Sequence, residues 1–497
     1  MGTAATSTAF ERDPLAAAAH LASVGRAHFV GIGGTGMSGL ARILKKRGYT
    51  VTGSDGKSSP ATELLQNLGI PTAAGHSAAA IDFERGIVIA SAAISDNNPE
   101  LVRASELQIP IVKYAVALAA ATAMRRVIAI AGCHGKTTTT AMTSFLLRNA
   151  GVDCGFLIGG NVPQLEGNAA DGHAAEFVVE ACEYDRSFLN FAPAQSGITN
   201  IDSDHLDYYG TFEAVVDAFA KFVSQTRPGG IVVTTAEAWD LLKPRVEAIE
   251  SFEPRDVRIR TIGDDTKSSI RLIPLQMMTH GATRARGPAM RLFMGRDDLG
   301  AFQLGIPGAH NLINAAIAIL LALEANADLE KVRAALPEFR GVDRRLTIKK
   351  RSPDITILDD YGHHPTEIRA TLAAVREAYA NNSRIIFVFQ PHQYSRTRML
   401  FHEFVDAIAA SLTSNDRVVL PEIYAARDSN EDKESVSSAD LARELRARGL
   451  DAISTKTLEQ AADSVWASRQ YGDVILTSGA GDVDRVADEL VRRSQQN

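Results

Sequence analysis

Short apolar runs alternate with amphipathic segments along most of this chain. The clearest case is residues 126–131, an apolar β-rich run that meets a glycine loop. The next segment, residues 136–150, has apolar positions at helical spacing and stops at Gly151. Similar pairs recur on both sides, with apolar runs at residues 27–30 and 355–358 among them. Strands that alternate with helices in this way predict an α/β protein with parallel sheets.

The loop after residues 126–131 has the composition of a phosphate-binding loop. Backbone N–H groups at the start of a helix point at an anion, and the helix dipole favours negative charge there. Lys136 can reach the β- and γ-phosphates of ATP, and the Thr137 hydroxyl can bind Mg²⁺. Only two residues separate the two loop glycines, where four are usual, so a plain helix N-terminus is the alternative. The predicted ATP-binding loop comprises Gly132, Cys133, His134, Gly135, Lys136, Thr137 and Thr138.

A second glycine-rich turn lies near the N-terminus, between an apolar run and a helix pattern. Its residues are Gly31, Gly33, Gly34, Thr35, Gly36 and Met37. Such a turn brings the backbone close to a pyrophosphate, and Asp55 follows at the distance expected for an acid in this motif. Ser91 follows another apolar run, at the edge of the sheet where ligands bind. The motif fits NAD(P) or another nucleotide diphosphate such as a UDP-sugar, and an unliganded tight turn is the alternative.

Acidic residues follow two predicted strands after the phosphate loop. Glu180 ends the run at residues 176–179, and Asp202, Asp204 and His205 follow the run at residues 196–200. Acids and histidine at strand ends beside a phosphate loop commonly hold Mg²⁺. The alternative is a solvated acidic loop or a helix cap. We also expect a peripheral sheet at residues 251–296, where the chain is charged and rich in turns.

The last third of the chain repeats the strand–helix alternation and carries polar loops. Asn311 begins a long helix where its amide could bind an adenine edge or simply cap the helix. Two guanidinium groups, Arg344 and Arg345, follow a glycine. Two later loops carry Tyr361, His363 and Arg396. A zinc site is disfavoured there, because the adjacent His363 and His364 make a poor ligand pair and no cysteine is near. A pocket for a small zwitterion fits better, since Arg396 can bind a carboxylate.

The amino-acid composition and the length of the chain exclude some classes of protein. Of 497 residues, 52 are Lys or Arg and 59 are Asp or Glu, a net charge of −7 that does not favour a nucleic-acid-binding protein. Three cysteines in so long a chain fit a reducing cytoplasm rather than a disulfide framework. No apolar run is long enough to span a membrane. The length exceeds one core, so we predict a Rossmann-like domain at residues 1–123, a P-loop-type ATP-binding domain at 124–338 and a Rossmann-like domain at 339–497.

Taken in order, these motifs resemble the Mur ligase family of peptidoglycan synthesis. The resemblance covers nearly the whole chain. The segments that carry it are residues 31–39, 132–140, 180–189, 199–209, 310–314, 341–345, 359–367 and 389–398. It implies an ATP-dependent enzyme that joins L-alanine to the lactyl carboxylate of UDP-N-acetylmuramate through an acyl phosphate, as a monomer or homodimer. Its substrates would be small molecules.

The resemblance also assigns roles to particular residues. Lys136, Glu180 and His205 would be catalytic, with Thr137 and Glu180 holding one Mg²⁺ and His205 a second. The turn at residues 31–37, with Asp55 and Ser91, would bind the UDP-sugar. The remaining roles are adenine contact by Asn311, nucleotide contact by Arg344 or Arg345, and alanine binding by Tyr361, His363 and Arg396.

Three rival functions stay open at this stage. One is a ligase that adds a tripeptide to the same nucleotide sugar, although the unbroken turn at residues 33–37 favours the alanine enzyme. A second is an NAD-dependent oxidoreductase, which leaves the phosphate loop unexplained. A third is a non-enzymatic nucleotide switch. Cys133 stands where threonine is common in this family, and we expect a depressed pKa and ready oxidation for its thiol.

Overall fold

The computed structural model describes residues 13–250, 252–253, 256–275, 287–379, 383–426 and 428–496. Within them, strands and helices alternate and form three separate sheets of five, ten and six strands. Most neighbouring strands run parallel, with helices between them in sequence. The predicted α/β class is therefore confirmed.

The first sheet has the order β3-β2-β1-β4-β5 and is parallel throughout. The strands are β1 Arg26–Val30, β2 Thr50–Asp55, β3 Thr72–Ala74, β4 Ile87–Ala90 and β5 Ile111–Lys113. The helices are α1 Pro14–Val24, α2 Thr35–Lys46, α3 Pro60–Asn67, α4 Pro99–Glu106 and α5 Tyr114–Thr122. Strand β1 is central because it is apolar and buried on both faces, as a parallel strand requires. The glycine-rich turn leaves its carboxyl end.

The second sheet has the order β15-β14-β13-β12-β11-β10-β6-β9-β7-β8. Its strands are β6 Arg126–Ala131, β7 Gly155–Val162, β8 Gly167–Ala170, β9 Glu176–Glu180, β10 Gln195–Ile198, β11 Ile231–Thr235, β12 Arg258–Gly263, β13 Ile270–Leu275, β14 Ala289–Met294 and β15 Asp297–Gln303. Its helices are α6 Lys136–Asn149, α7 Leu206–Tyr209, α8 Phe212–Ser224, α9 Ala236–Glu247, α10 Asn311–Glu324 and α11 Leu329–Ala335. Strand β6 lies between β10 and β9, so the loops after all three meet at one edge.

The peripheral strands expected at residues 251–296 form, but they extend the central sheet. Strand β12 pairs in parallel with β11, and β13 to β15 continue the central sheet outward. Some of that segment, residues 276–286, lies outside the described residues. The backbone edge of β11 is a template for further strands, which the turn-rich composition of the segment did not reveal.

The third sheet has the order β16-β17-β21-β18-β19-β20, with β16 antiparallel to β17. Its strands are β16 Thr347–Arg351, β17 Ile355–Asp360, β18 Ile385–Phe389, β19 Arg417–Leu420, β20 Asp451–Ser454 and β21 Asp473–Ser478. Its helices are α12 Pro365–Ala378, α13 Tyr394–Met399, α14 Phe401–Ser411, α15 Asn430–Ser435, α16 Ser438–Ala447, α17 Leu458–Ser468 and α18 Asp484–Arg493. The loops after β17 and β18 both leave the same edge, where β21 separates the two strands.

The chain forms two compact units. The first holds the first and second sheets, and the second is mainly residues 340–496 with the segment Gln303–Leu312. Among the described residues, no helix has both the length and the apolar character needed to cross a membrane.

Candidate active site

The phosphate loop takes its shape from residues that are distant in sequence. Gly132 and Gly135 have φ angles of 134° and 82°, which favour glycine. The His134 carbonyl accepts hydrogen bonds from Thr199 Oγ1 and Asn200 Nδ2, and the His134 N–H donates to Asn200 Oδ1 at 2.9 Å. A Cβ on Gly132 would overlap the Thr199 hydroxyl, so the backbone lies directly against the loop after β10.

Lys136 begins α6 with its side chain held inside the loop. Its ammonium donates to the Gly132 and Cys133 carbonyls and to Glu183 Oε1, the last at 2.9 Å. Burial alone would lower the pKa of Lys136, but the Glu183 carboxylate more than offsets this, so the pKa is raised. The lysine is therefore a permanent cation at the predicted phosphate site.

Thr137 and Glu180 converge as the sequence predicts for a magnesium site. Thr137 Oγ1 donates to Glu180 Oε1 at 3.0 Å, and the Gly159 N–H donates to Glu180 Oε2 at 2.7 Å. A Cβ on Gly159 would lie 2.6 Å from the same carboxylate, so only glycine lets β7 approach it this closely. A hydroxyl and a carboxylate are oxygen ligands of the kind that Mg²⁺ prefers.

His205 lies in a second cluster, with Glu183 and Asp204. Its Nε2 is 3.6 Å from Glu183 Oε1 and 3.7 Å from Asp204 Oδ2. The three residues each offer one ligand atom within 4.8 Å of the others. Sequence reasoning did not single out Glu183, although it follows Glu180 by three residues in the same loop. That proximity to a strand end was the available signal.

The structure contradicts the depressed pKa expected for the Cys133 thiol. Its side chain is buried, its thiol donates to the Asp202 carbonyl, and the Asp202 N–H donates to its sulfur at 3.2 Å. Burial raises the pKa of the thiol, and the Glu183 carboxylate raises it further, against the smaller opposing effect of Lys136. The thiol is therefore a packing group with a weak hydrogen bond.

The N-terminal glycine turn borders a cleft of about 270 Å³. The lining includes Gly34, Thr35, Gly36, Met37 and Ser91, as the sequence predicts for a ligand site, but neither Gly31 nor Gly33. The Asp55 carboxylate accepts a hydrogen bond from the Gly33 N–H at 2.9 Å, so it shapes the turn.

Six further residues of the cleft were not predicted from the sequence. They are Ala92, Lys113, Tyr114, Ala115, Asp185 and Ser187. Lys113 and Asp185 form an ion pair at 2.7 Å, although the first lies on β5 and the second follows β9. Sequence could not reveal this, because the pairing joins the first sheet to the central one. The cleft therefore borders both sheets of the first unit.

In the second unit, the loop after β17 brings two predicted residues together. The ring centroids of Tyr361 and His363 are 5.7 Å apart, and the ring of His392, from the loop after β18, lies 6.0 Å from His363. His363 Nδ1 donates to the Tyr361 carbonyl at 3.2 Å, and the His363 backbone N–H donates to Glu367. Arg396 lies on α13, which begins two residues after His392.

The three residues of this unit that were predicted to contact the nucleotide already bind other groups of the protein. Arg344 donates to Asp359 and to the carbonyls of Gly479 and Gly481, at 2.7 to 3.2 Å. Arg345 approaches Glu367 at 3.9 Å and lies over the Tyr361 ring. Asn311 Nδ2 donates to the Pro307 carbonyl at 2.7 Å. The nucleotide contacts of Arg344 and Arg345 and the adenine contact of Asn311 stay predictions.

Comparison with known proteins identifies the family. Three family models match in succession: the Mur ligase catalytic domain at residues 26–126, the middle domain at 130–322 and the glutamate ligase domain at 344–481. A UDP-N-acetylmuramate–L-alanine ligase of Desulforamulus reducens is 37% identical over 473 residues, covering 95% of this chain and 98% of that protein.

The chain belongs to the Mur ligase family.

Other Mur ligases are also similar to this chain in sequence or in structure. A UDP-N-acetylmuramate–L-alanine ligase of Paenarthrobacter aurescens is 39% identical and covers 94% of this chain and 96% of its own length. The crystal structure of the UDP-N-acetylmuramate–alanine ligase MurC of Thermotoga maritima has a TM-score of 0.77 at 31% identity, covering 95% of this chain and 99% of that one. A murein peptide ligase of Psychrobacter arcticus, 22% identical with a TM-score of 0.66, shares the Mur ligase fold.

Proposed function

We propose that this Mur ligase joins L-alanine to the lactyl carboxylate of UDP-N-acetylmuramate at the expense of ATP. The observation that carries the proposal is the end-to-end similarity to ligases of that name, at 37 to 39% identity. The site supports it, because a phosphate loop and a glycine-turn cleft lie in one compact unit.

The reaction has two steps in which atoms balance. A carboxylate oxygen of the sugar nucleotide attacks the γ-phosphorus of ATP, and ADP leaves. The amine of L-alanine then attacks the acyl carbon, phosphate leaves, and the amine loses a proton. A carboxylate is a poor acyl donor, so the phosphoryl group supplies the leaving group. The transferred phosphoryl group carries dense negative charge, which positioned cations stabilise.

Lys136 is our candidate for binding the β- and γ-phosphates, at the N-terminus of α6. Thr137 and Glu180 supply the oxygen ligands for one Mg²⁺, and His205 with its two neighbouring acids suits a second. When bound, Mg²⁺ neutralises phosphate charge and polarises the γ-phosphate. The donor sets fit the ion because carboxylate and hydroxyl oxygens predominate in them.

The remaining substrates have candidate residues in both units. We propose that the turn at residues 31–37, with Asp55 and Ser91, binds the UDP-sugar, where α2 presents its N-terminus to a pyrophosphate. Tyr361, His363 and Arg396 are our candidates for alanine, with Arg396 taking its carboxylate. We further propose that the enzyme works in the cytoplasm, where ATP is available and cysteine thiols stay reduced.

Phosphate release from Mg-ATP with UDP-N-acetylmuramate tests the proposal. L-Alanine, glycine, L-serine or the tripeptide is added in turn, and product is identified by mass. Turnover that requires both the sugar nucleotide and L-alanine is the expected result. Turnover only with the tripeptide would assign the chain to the tripeptide-adding reaction instead. Folded protein that binds ATP but turns over none of these mixtures would contradict ligase activity.

A further inference from the structure

The ammonium of Lys136 is already occupied in this structure. A lysine has three N–H donors, and here they face four acceptors: the Gly132 carbonyl, the Cys133 carbonyl and both oxygens of Glu183. The two distances to Glu183 are 2.9 and 2.8 Å. A triphosphate that is to bind Lys136 must therefore displace at least one of these contacts.

Glu183 cannot follow the lysine out of the site or turn to solvent. Its side chain is 1% exposed. Its carbonyl accepts hydrogen bonds from Tyr209 Oη at 2.6 Å and from the Arg186 N–H at 2.9 Å, which fix the backbone. Its buried Oε2 lies 2.8 Å from Lys136 Nζ in an ion pair outside hydrogen-bonding geometry, so the lysine balances its charge.

Moving Lys136 onto phosphate would leave that carboxylate buried without a counter-ion. An uncompensated buried charge is strongly unfavourable. Another cation can remove the penalty, and the position beside Glu183 is suited to one, because His205 and Asp204 place ligand atoms within 4.8 Å of it and of each other. The exchange of one cation for another therefore keeps the site neutralised at each stage.

We propose that Glu183 is a positioning residue that retains Lys136 until a divalent cation replaces the ammonium beside its carboxylate. The inference rests on the proposed binding of ATP. Release of Lys136 and occupation of the Glu183–Asp204–His205 cluster are then thermodynamically linked. Each event favours the other, and the linkage is reciprocal. ATP without metal binds weakly, because Glu183 retains Lys136. Metal without ATP also binds weakly, because Lys136 already neutralises the Glu183 carboxylate.

Two variants of the full-length protein, each of which removes one partner of the Lys136–Glu183 pair, test this linkage. In Glu183→Gln the lysine loses its partner, so ATP should bind about tenfold or more tightly than to wild type in EDTA, and the gain from Mg²⁺ should shrink by a similar factor. Isothermal calorimetry with and without Mg²⁺ measures both constants. In Lys136→Gln the carboxylate loses its partner, so Mn²⁺ without nucleotide should bind more tightly than to wild type, as measured by electron paramagnetic resonance.

Glu176→Gln is the matched control. It is the same substitution at the start of β9, the strand that precedes the loop of Glu183. Its carboxylate lies 3.9 Å from Arg126, and the substitution should leave both constants unchanged. Equal metal-free ATP affinity in wild type and Glu183→Gln would overturn the proposal. If that variant fails to fold, unchanged Mn²⁺ affinity in Lys136→Gln would overturn it. Wild type that binds no ATP under any condition would instead contradict the proposed function.

Discussion

At the scale of single residues, Glu100 links three elements of the first sheet. Its carboxylate accepts hydrogen bonds from Ser54 Oγ at 2.6 Å and from the Ser77 N–H at 3.1 Å. The same carboxylate lies 3.2 Å from His28 Nε2. Burial alone would raise the pKa of Glu100, but the bonds from His28, Ser54 and Ser77 more than offset it. The pKa is therefore lowered from its ordinary value of 4.5.

A lowered pKa makes the stability of this sheet depend on pH. The folded state prefers the ionised carboxylate, so the contribution is present above pH 4.5 and is lost as the pH falls through the folded-state pKa. Glu100→Gln should lower the free energy of unfolding by about 2–4 kcal/mol at pH 7. The gap to wild type should narrow below pH 4.5, as measured by urea unfolding across the pH range.

Glu106→Gln, on the same helix α4, is the control for that prediction. Glu106 is 58% exposed and pairs only with Arg103 three residues away among its described ion pairs. We expect a change below about 0.5 kcal/mol. Equal losses in the two variants would contradict the role of Glu100.

The residues that sequence identified and those that it missed differ in a physical way. Glu180 and Lys136 were predictable because each stands at a junction between a strand or loop and a helix, where chemistry follows from position. Glu183 and Tyr114 were not singled out, because the contacts of a side chain near a strand end or at a helix start depend on the direction in which it faces. That choice is made by packing against strands far away in sequence.

At the scale of elements, strand β6 and helix α6 form as predicted, since an apolar run, a glycine loop and a helical pattern agree there. At one edge of the central sheet, the sequence pattern did not predict the strands that form. The strands β7 and β8 are rich in glycine and asparagine, and the sequence did not predict them. Edge strands and short helices owe their state to tertiary contacts more than to their own sequence.

The strand–loop–helix junction offers a test with two glycines. Both Gly132, with φ 134°, and Gly151, with φ 94°, adopt angles unfavourable for alanine. A Cβ on Gly132 would also overlap Thr199, whereas one on Gly151 would meet nothing within 4 Å. Gly151→Ala should therefore lower stability by about 1 kcal/mol, from backbone strain alone.

Gly132→Ala should cost about 1–3 kcal/mol more than Gly151→Ala, because overlap adds to strain. It should also weaken ATP binding, since the loop must move. Urea unfolding and calorimetric titration with ATP measure the two effects. Indistinguishable stabilities for the two variants would show that the loop accommodates a methyl group at position 132.

At the scale of the whole molecule, side chains of α2 and of Arg47, which follows it, connect the first sheet to the central one. Arg47 donates to both carboxylate oxygens of Asp171, at 2.6 and 2.9 Å, and to the Ala121 carbonyl. Arg42 donates to Asn168, and Asn168 donates back to the Thr35 carbonyl. These bonds explain why two sheets form a single compact unit, which alternating sequence patterns alone do not predict.

A double-mutant cycle on Arg47→Ala and Asp171→Ala should give a coupling energy of about 1–2 kcal/mol. The pair is bidentate and only 22% and 16% exposed, so solvent screens it incompletely. The exposed pair Arg103–Glu106 should give less than about 0.5 kcal/mol in the same cycle. Equal coupling in the two cycles, measured by urea unfolding, would contradict the role of Arg47 in joining the sheets.

The dependence of the phosphate loop on Thr199 and Asn200 bears on how the chain matures during synthesis. His134 leaves the ribosome before the two residues that hold its carbonyl, which lie 65 and 66 positions later. Domains fold as units while translation proceeds at roughly 5–20 residues per second. A nascent chain that ends before Thr199 thus has the loop sequence without the two side chains that hold the His134 carbonyl, and the loop reaches the shape described here only after β10 has been made.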